Sequence, residues 1–456
     1  MQKLLSWLNS SYKYLIAAVF LVVILYPKFP TFKVPGTFVS IRTEDFLLLF
    51  AAFVAGIKVL GNLPSLFKNS LGRSILIFFL VGLVSVLSGI LVTQTIVPTI
   101  GILHWLRRIE YIVPFFLALY AFRVGKKEDL EFYLKVAILA VLIVFIYGYG
   151  QKHFSWPVIV TQNEEYSKGI ALTWIPGSHI NSTFAGHYDL AAFLVLVLPT
   201  FVVLLFSLKG LISKGICLIT LLSGFWLFSG AVSRISVVAF LFSSSLALLL
   251  VKKYKELVVF LAVSLIIFSF SGDLRARYIR IIEVAKEKIF SYQLINKAYA
   301  AEEVPVEKSG ENIPTPTPVP VFEDRSTSIR LNVEWPRAVR AFFKNPLLGT
   351  GFSSITLATD NEYLRVLGEA GLLGLVAFGL VIVNLGLILS KSLSIFSKVN
   401  IIERAFLAGI LGSLPGILLI AFFIDIFEAS KFAIIFWLIM GLAVSLIRNY
   451  QNEQTV

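Results

Sequence analysis

One cysteine, Cys217, two methionines and four histidines are all that 456 residues offer of sulfur and imidazole ligands, and charged residues make up only 15% of the chain. Cys217 lies inside an apolar run, so there is no disulfide framework and no thiolate metal site, and the redox compartment is not readable. Two of the histidines, His179 and His187, stand eight residues apart with no third His or Cys near them, which argues against zinc. No metal and no cofactor is expected. No internal repeat of helix pairs is evident either, which disfavours the inverted-repeat transporters.

What is abundant is apolar surface. The chain is 57% hydrophobic with a mean hydropathy of +0.85, and its apolar runs repeatedly reach the roughly 20 residues that span a bilayer. The expected fold class is an all-α polytopic integral membrane protein with about twelve transmembrane helices. Their centres fall near Val19, Ala52, Val84, Phe116, Ala140, Leu198, Leu221, Leu241, Val263, Ile382, Leu414 and Phe436. The N-terminal run is kept as the first span, because Tyr26-Pro27-Lys28 and no small-residue cleavage site follows it. Alternate loops carry Lys58, Lys68 and Arg73, then Arg123, Lys126 and Lys127, then Lys209 and Lys214, Lys252, Lys253 and Lys255, and Lys391, Lys398 and Arg404. By the positive-inside rule both termini are cytoplasmic, in the inner or plasma membrane of the cell.

The chain divides into N-terminal spans at 1–150, central spans at 151–271 with an outer loop at 151–188, a large outer loop at 272–370, and C-terminal spans at 371–456. Within the large loop, residues 301–322 are rich in proline and acids, without an apolar period, and are expected to be a mobile insertion. The formal net charge of +13 reflects in part the lysines of the cytoplasmic loops. On this topology, however, the outer side holds mostly arginine: Arg42, Arg107, Arg108, Arg234, Arg275, Arg277, Arg280, Arg325, Arg330, Arg337, Arg340 and Arg365. Arginine is favoured where a planar fork grips phosphate or carboxylate oxygens, so the split points to an anionic ligand on that side. Pairing with loop acids, or snorkelling to lipid headgroups, explains single members of the set equally well.

The stretch from Arg325 to Gly374 looks built for chemistry. Pro336 fits the first turn of a helix running to about Lys344, capped by Asn332 and stopped by Asn345-Pro346. Trp335, Ala338, Val339 and Phe342 form its apolar stripe, and Arg337, Arg340 and Lys344 its basic face. An interfacial amphipathic helix explains the same pattern. Gly349-Thr350-Gly351 reads as a tight turn needing positive φ rather than a phosphate loop. Thr359 and Glu362 have capping-box spacing, and Asp360 is itself a candidate cap for the helix that follows. Upstream, His179, Asn181, His187 and Asp189 cluster before the sixth span, each explicable as a polar interface residue. Arg234 opens the eighth span after a very short hairpin, and a charge so close to the hydrocarbon is a functional candidate by default.

Taken together, GHYDLAAFL at the mouth of a span, a Ser-Arg pair opening another, R-x4-W-x2-A, NPLLGTGF and NEYLRVLGEAGLLG resemble the O-antigen ligase and polymerase superfamily over roughly residues 178–390. The resemblance implies about twelve spans, a large outer loop, a GT-C-like architecture, and transfer of a glycan from a polyprenyl diphosphate donor to a glycan, lipid or protein acceptor among membrane lipids, with no nucleic acid involved. It carries the family's membrane-edge arginine onto Arg234 and its loop arginine onto Arg330. The ligases' loop His-Asn pair falls on Asp360-Asn361, a departure that leaves the general base open between Asp360 and His187. Arg337, Arg340, His187, Asn361 and Tyr363 are then expected to bind substrate. A transporter or flippase for an anionic lipid-linked glycan would use the same basic lining, with its polar sites near the midplane instead.

Overall fold

The computed structural model describes residues 2–26, 30–33, 40–60, 69–124, 126, 128–158, 172–270, 272, 279 and 328–452. The Pro-rich insertion, Arg275, Arg277, Arg280 and Arg325 lie outside the described residues. The long helices are α1 (Gln2–Leu25), α2 (Thr43–Leu60), α3 (Ser70–Leu91), α4 (Pro98–Ala118), α5 (Asp129–His153), α6 (His187–Ser207), α7 (Leu211–Ala231), α8 (Arg234–Leu250), α9 (Tyr254–Ser269), α10 (Trp335–Lys344), α11 (Glu362–Ser390), α12 (Ile401–Ala421) and α13 (Ser430–Asn452). Two short antiparallel hairpins, β1 (Pro30–Lys33) with β2 (Ser40–Arg42) and β3 (Pro157–Val158) with β4 (Leu172–Thr173), are the strands among the described residues.

Every expected span centre lies in a helix, but among the described residues seven helices are long and apolar enough to cross a membrane: α3, α5, α6, α7, α11, α12 and α13. The Ser11–Leu25 part of α1 and the whole of α8 are apolar but shorter. Helix α4 carries Arg107, Arg108 and Glu110 within its run.

Two helices are apolar on every side and form the centre of the bundle, as expected of segments with no solvent or lipid face. In α6 every residue from Leu190 to Leu204 is buried, and α13 is buried along its whole hydrophobic window. Helix α12 packs against both α6 and α8. Its contact face carries Gly409 and Gly412, where an added Cβ would come within 2.6 Å of the Thr200 backbone and the Ser243 carbonyl. Small residues at such positions let helix backbones approach where lipid supplies no hydrophobic drive.

Helices α6 and α8 run in the same direction, joined by the returning α7, so His187 and Arg234 begin their helices at one end of the bundle. Lys431, at the start of α13, donates to the carbonyls of Ile24 (3.1 Å), Tyr26 (2.9 Å) and Thr183 (2.5 Å). Its ammonium is thereby satisfied although the residue is 2% exposed, and it binds the end of α1 and the segment before α6 to the same end.

Helix α11 is broken. Gly371 has φ 69° and ψ −169°, which would leave carbonyls before the break and amides after it without helical partners. The NPLLGTG loop supplies them. Thr350 N–H donates to Gly368 O (3.1 Å) and Gly351 N–H to Glu369 O (2.8 Å), while Leu372 N–H and Leu373 N–H donate to the carbonyls of Pro346 (2.9 Å) and Leu347 (3.2 Å). This contact admits no side chain: a Cβ on Gly349 would lie 2.6 Å from Ala370 N, and one on Gly371 2.5 Å from Leu348 N. Gly349 and Gly351 take φ of 67° and 90°, so the expected positive-φ turn is present, and its use is to plug the broken helix. Thr95 Oγ1 and Asn345 Nδ2 fasten the loop to Thr350 O (2.6 Å) and to Ser88 Oγ on α3 (2.9 Å).

Replacing Gly349 or Gly371 with alanine is expected to cost several kcal/mol, since backbone strain and a backbone collision coincide. Gly379→Ala, at a site with nothing within 4 Å of the new Cβ, should leave thermal melting in detergent unchanged. Equal melting of the three variants would show that the break does not depend on glycine.

Candidate active site at one end of the bundle

The helical run that enters α10 begins before Arg330, not at an Asn332 cap. Residues Arg330–Glu334 form a π-turn, closed by the Trp335 N–H donating to Arg330 O. The cause is Pro336, which has no N–H to give Asn332 O and whose ring would collide with that carbonyl, so the chain widens just before it. Asn332 lies inside the turn and donates to Ser328 Oγ at 3.0 Å. Pro336 does sit in the first turn of α10, and Asn345 ends it.

The wide turn sets Arg330 over the bundle end. Its Nε and Nη2 lie 2.9 and 2.8 Å from Asp360 Oδ2, and Nη2 is 3.5 Å from the Tyr188 hydroxyl, at the long limit of a hydrogen bond. The Tyr188 ring stacks beside His187 with centroids 4.0 Å apart, and His187 beside His179 at 4.2 Å. From there Ile180 N–H donates to Gly230 O at 3.0 Å, which joins this group to the α7–α8 hairpin where half-buried Arg234 stands. Arg330, Asp360, Tyr188 and His187 therefore form one group, and Arg234 belongs to the same end.

Asp360 does not cap α11. It holds a left-handed backbone, φ 48°, which Asp tolerates better than most residues, and the cap is Asn361, whose side chain accepts the Leu364 N–H at 3.0 Å. The Thr359–Glu362 capping box does not form. The Thr359 hydroxyl is buried without a hydrogen-bond partner among the described residues, and buried Glu362 accepts the Phe427 N–H at 3.0 Å instead. Tyr363 donates to Leu418 O at 2.9 Å and packs on Phe422. Asn361 and Tyr363 thus both have structural contacts. On α10 the basic face is split: Arg337 is half-buried and Arg340 and Lys344 are exposed. The Arg337 Nη1 atom is buried with no hydrogen-bond partner among the described residues.

Beneath this group lies a network that local spacing did not reveal. Arg365, one turn into α11, lies 2.6 Å from Asp425, 3.2 Å from Glu428 and 3.6 Å from Glu369. Arg108 of α4 pairs with Glu428 and lies 3.7 Å from Glu369. Arg107, on the other side of α4, lies 3.7 Å from Asp45 and 4.0 Å from Glu110. Arg42 approaches Glu44 at 4.0 Å. For these arginines the pairing explanation holds. The only signal in the sequence was the presence of Arg108 and Glu369 inside apolar runs, where a charge requires a partner. Among the described residues, no group of three or more His, Cys, Asp or Glu is arranged to hold a metal ion.

Electrostatics separates the loop carboxylates. Burial, reinforced by nearby Asp425, lifts the Asp360 carboxyl above the ordinary carboxylate range, although Arg330 opposes it. Burial works against the Arg330 charge but is outweighed by Asp360 and Tyr188, so its affinity for its proton rises. Glu334 is pushed up to about 7, first by burial and then by Asp360 and Asp425, against the pull of Arg330 and Arg337.

A bundle of apolar helices with a charged group at one end, under a short amphipathic helix, defines an integral membrane protein with an end-on site. Residues 216–379 match the family described as O-Antigen ligase, which supports the O-antigen ligase and polymerase superfamily as the family of this chain. The matched region includes Arg234, Arg330, Asp360 and the broken part of α11, and stops short of His187. No curated protein matches the chain.

Arg365→Ala is expected to lower stability by about 3–5 kcal/mol, because it takes the cation from Asp425 and leaves Glu428 and Glu369 to share Arg108. Arg340→Ala, at an exposed position, should change melting by less than about 0.5 kcal/mol. Similar melting of the two variants would remove the network from the account.

Proposed function

We propose that this protein transfers a polyprenyl-diphosphate-linked glycan to an acceptor hydroxyl on the outer face of the inner or plasma membrane, in surface polysaccharide biosynthesis, with both termini cytoplasmic and a GT-C-like membrane architecture. The observation that carries the reading is Arg330, a guanidinium held by Asp360 beside Tyr188 at the bundle end, inside the segment that matches the O-antigen ligase family. As the glycosidic bond breaks, negative charge grows on the leaving diphosphate. Arginine forks fixed there, Arg330 and on this reading Arg234, stabilise that charge more than the ground state. A phosphate oxygen can join Asp360 on the Arg330 guanidinium, whose five N–H donors can serve more than one anionic acceptor. Arg337, which with Arg330 acts on Glu334, has a buried Nη1 donor without a hydrogen-bond partner among the described residues, available to a second oxygen.

The flippase reading needs a polar site that both faces of the membrane can reach. The α11 break would be its natural place, but the chain's own loop fills it. The lysine-bearing end, where Lys13 pairs with Asp129 at 3.1 Å, lies opposite the site, in keeping with the positive-inside orientation.

Reconstitution with lipids extracted from the native membrane, followed by mass spectrometry, is expected to show carrier-linked glycan lost and one product gaining it. Arg330→Ala should lower turnover by roughly a hundredfold or more, the scale for losing one donor to developing charge. Arg330→Lys should rescue little of it, because it keeps the charge and loses the fork. Wild-type turnover by Arg330→Ala would contradict the proposal.

A further inference from the structure

A glycan transfer needs a group to take the acceptor's proton, and Asp360 is poorly placed for it. The Asp360 Oδ2 atom already accepts from two nitrogens of Arg330. Glu334 closes the same π-turn that Arg330 opens, four residues on and so on the same side of the run. It is half-buried, its Oε2 atom is fully buried, and that atom accepts no hydrogen bond among the described residues. A buried acceptor without a donor is costly unless something else supplies one.

We propose that Glu334 is the general base that takes the proton from the acceptor hydroxyl, with Asp360 serving as the positioning residue that aims the Arg330 fork. The proposal rests on the glycan-transfer reading above. In the step, the acceptor oxygen forms a bond to the anomeric carbon as its proton passes to the Glu334 carboxylate. The bond from that carbon to the diphosphate oxygen breaks with its electron pair, and polyprenyl diphosphate leaves. The proton on Glu334 is then lost to water, which restores the carboxylate. The groups facing Glu334 are Asp360 and Asp425, which favour its protonated form, and Arg330 and Arg337, which favour the carboxylate. With burial added, the balance lies at about 7, where a base is both substantially deprotonated and strong enough to act. Paired carboxylates in different surroundings commonly divide such roles.

The test measures transfer by the full-length protein from its extracted polyprenyl diphosphate glycan, between pH 5 and pH 9, to a hydroxyl acceptor and to azide. Because the base must be deprotonated, wild-type turnover onto the hydroxyl should fall about tenfold per pH unit below about pH 7. Glu334→Gln should lose about a hundredfold or more in turnover, keep the KM for donor, and lose that acid limb. Azide brings no proton to remove, so the same variant should transfer to azide at the wild-type rate. Glu334→Asp should retain part of the hydroxyl activity with a displaced limb, and Asp360→Asn should be slower with the limb kept. A Glu334→Gln enzyme that keeps the limb, or that fails equally toward azide and hydroxyl, overturns the assignment while the transfer reading stands. A wild-type protein that transfers to neither acceptor overturns both.

Discussion

The structure depends on an interruption in one helix and the loop that repairs it. In a bilayer a spanning helix satisfies its own backbone, and a break exposes amides and carbonyls that lipid cannot pair. Here Gly371 breaks α11, and the NPLLGTG loop returns the missing partners from its own backbone. The loop is in turn fastened to α3 through Ser88 and to Thr95 just beyond it. This fixes three things at once: the end of α10, the direction of the Glu362–Ala370 half of α11, and the span between them that carries Asp360. Arg330 and Asp360 meet because both flanks of the loop are anchored, so precision at the site is inherited from hydrogen bonds below it.

Charge at this end follows a similar economy. Arg365, Arg108, Asp425, Glu428 and Glu369 are matched against one another under the loop. Such a network holds the first half of α11 to α4 and to the turn before α13, and its members are costly to remove singly. Above it, the matching is incomplete. Among the described residues, Arg337 Nη1 is a buried donor and Glu334 Oε2 a buried acceptor without a hydrogen-bond partner. The surplus donors and acceptors therefore gather where a charged ligand and an incoming hydroxyl would meet.

Hydropathy made the helices legible, because a residue's transfer energy depends little on its distant neighbours. Positive φ at Gly349 and Gly351 was legible for a similar local reason. What those glycines are for was not, since the partner backbone lies some twenty residues away around Gly368 and Glu369. The cap of α11 was placed on Asp360 or a Thr359–Glu362 box, and the chain uses Asn361, because capping is decided by the dihedral angles at which the loop arrives. The arginine excess was visible in the sequence, yet Arg107, Arg108 and Arg365 are paired with acids far along the chain. Long-range pairing leaves no mark in local spacing. Glu334 escaped notice because the π-turn that aims it comes from Pro336 acting on the chain before it.

In the proposed transfer, the group around Arg330 receives the diphosphate of a lipid-linked donor. An experimental structure in a lipid nanodisc with a polyprenyl diphosphate bound tests it most directly. Diphosphate oxygens are expected within hydrogen-bond distance of the Arg330 guanidinium, at the end of the bundle shared with Tyr188 and Glu334. Diphosphate bound at the lysine-bearing end, remote from Arg330, would contradict this.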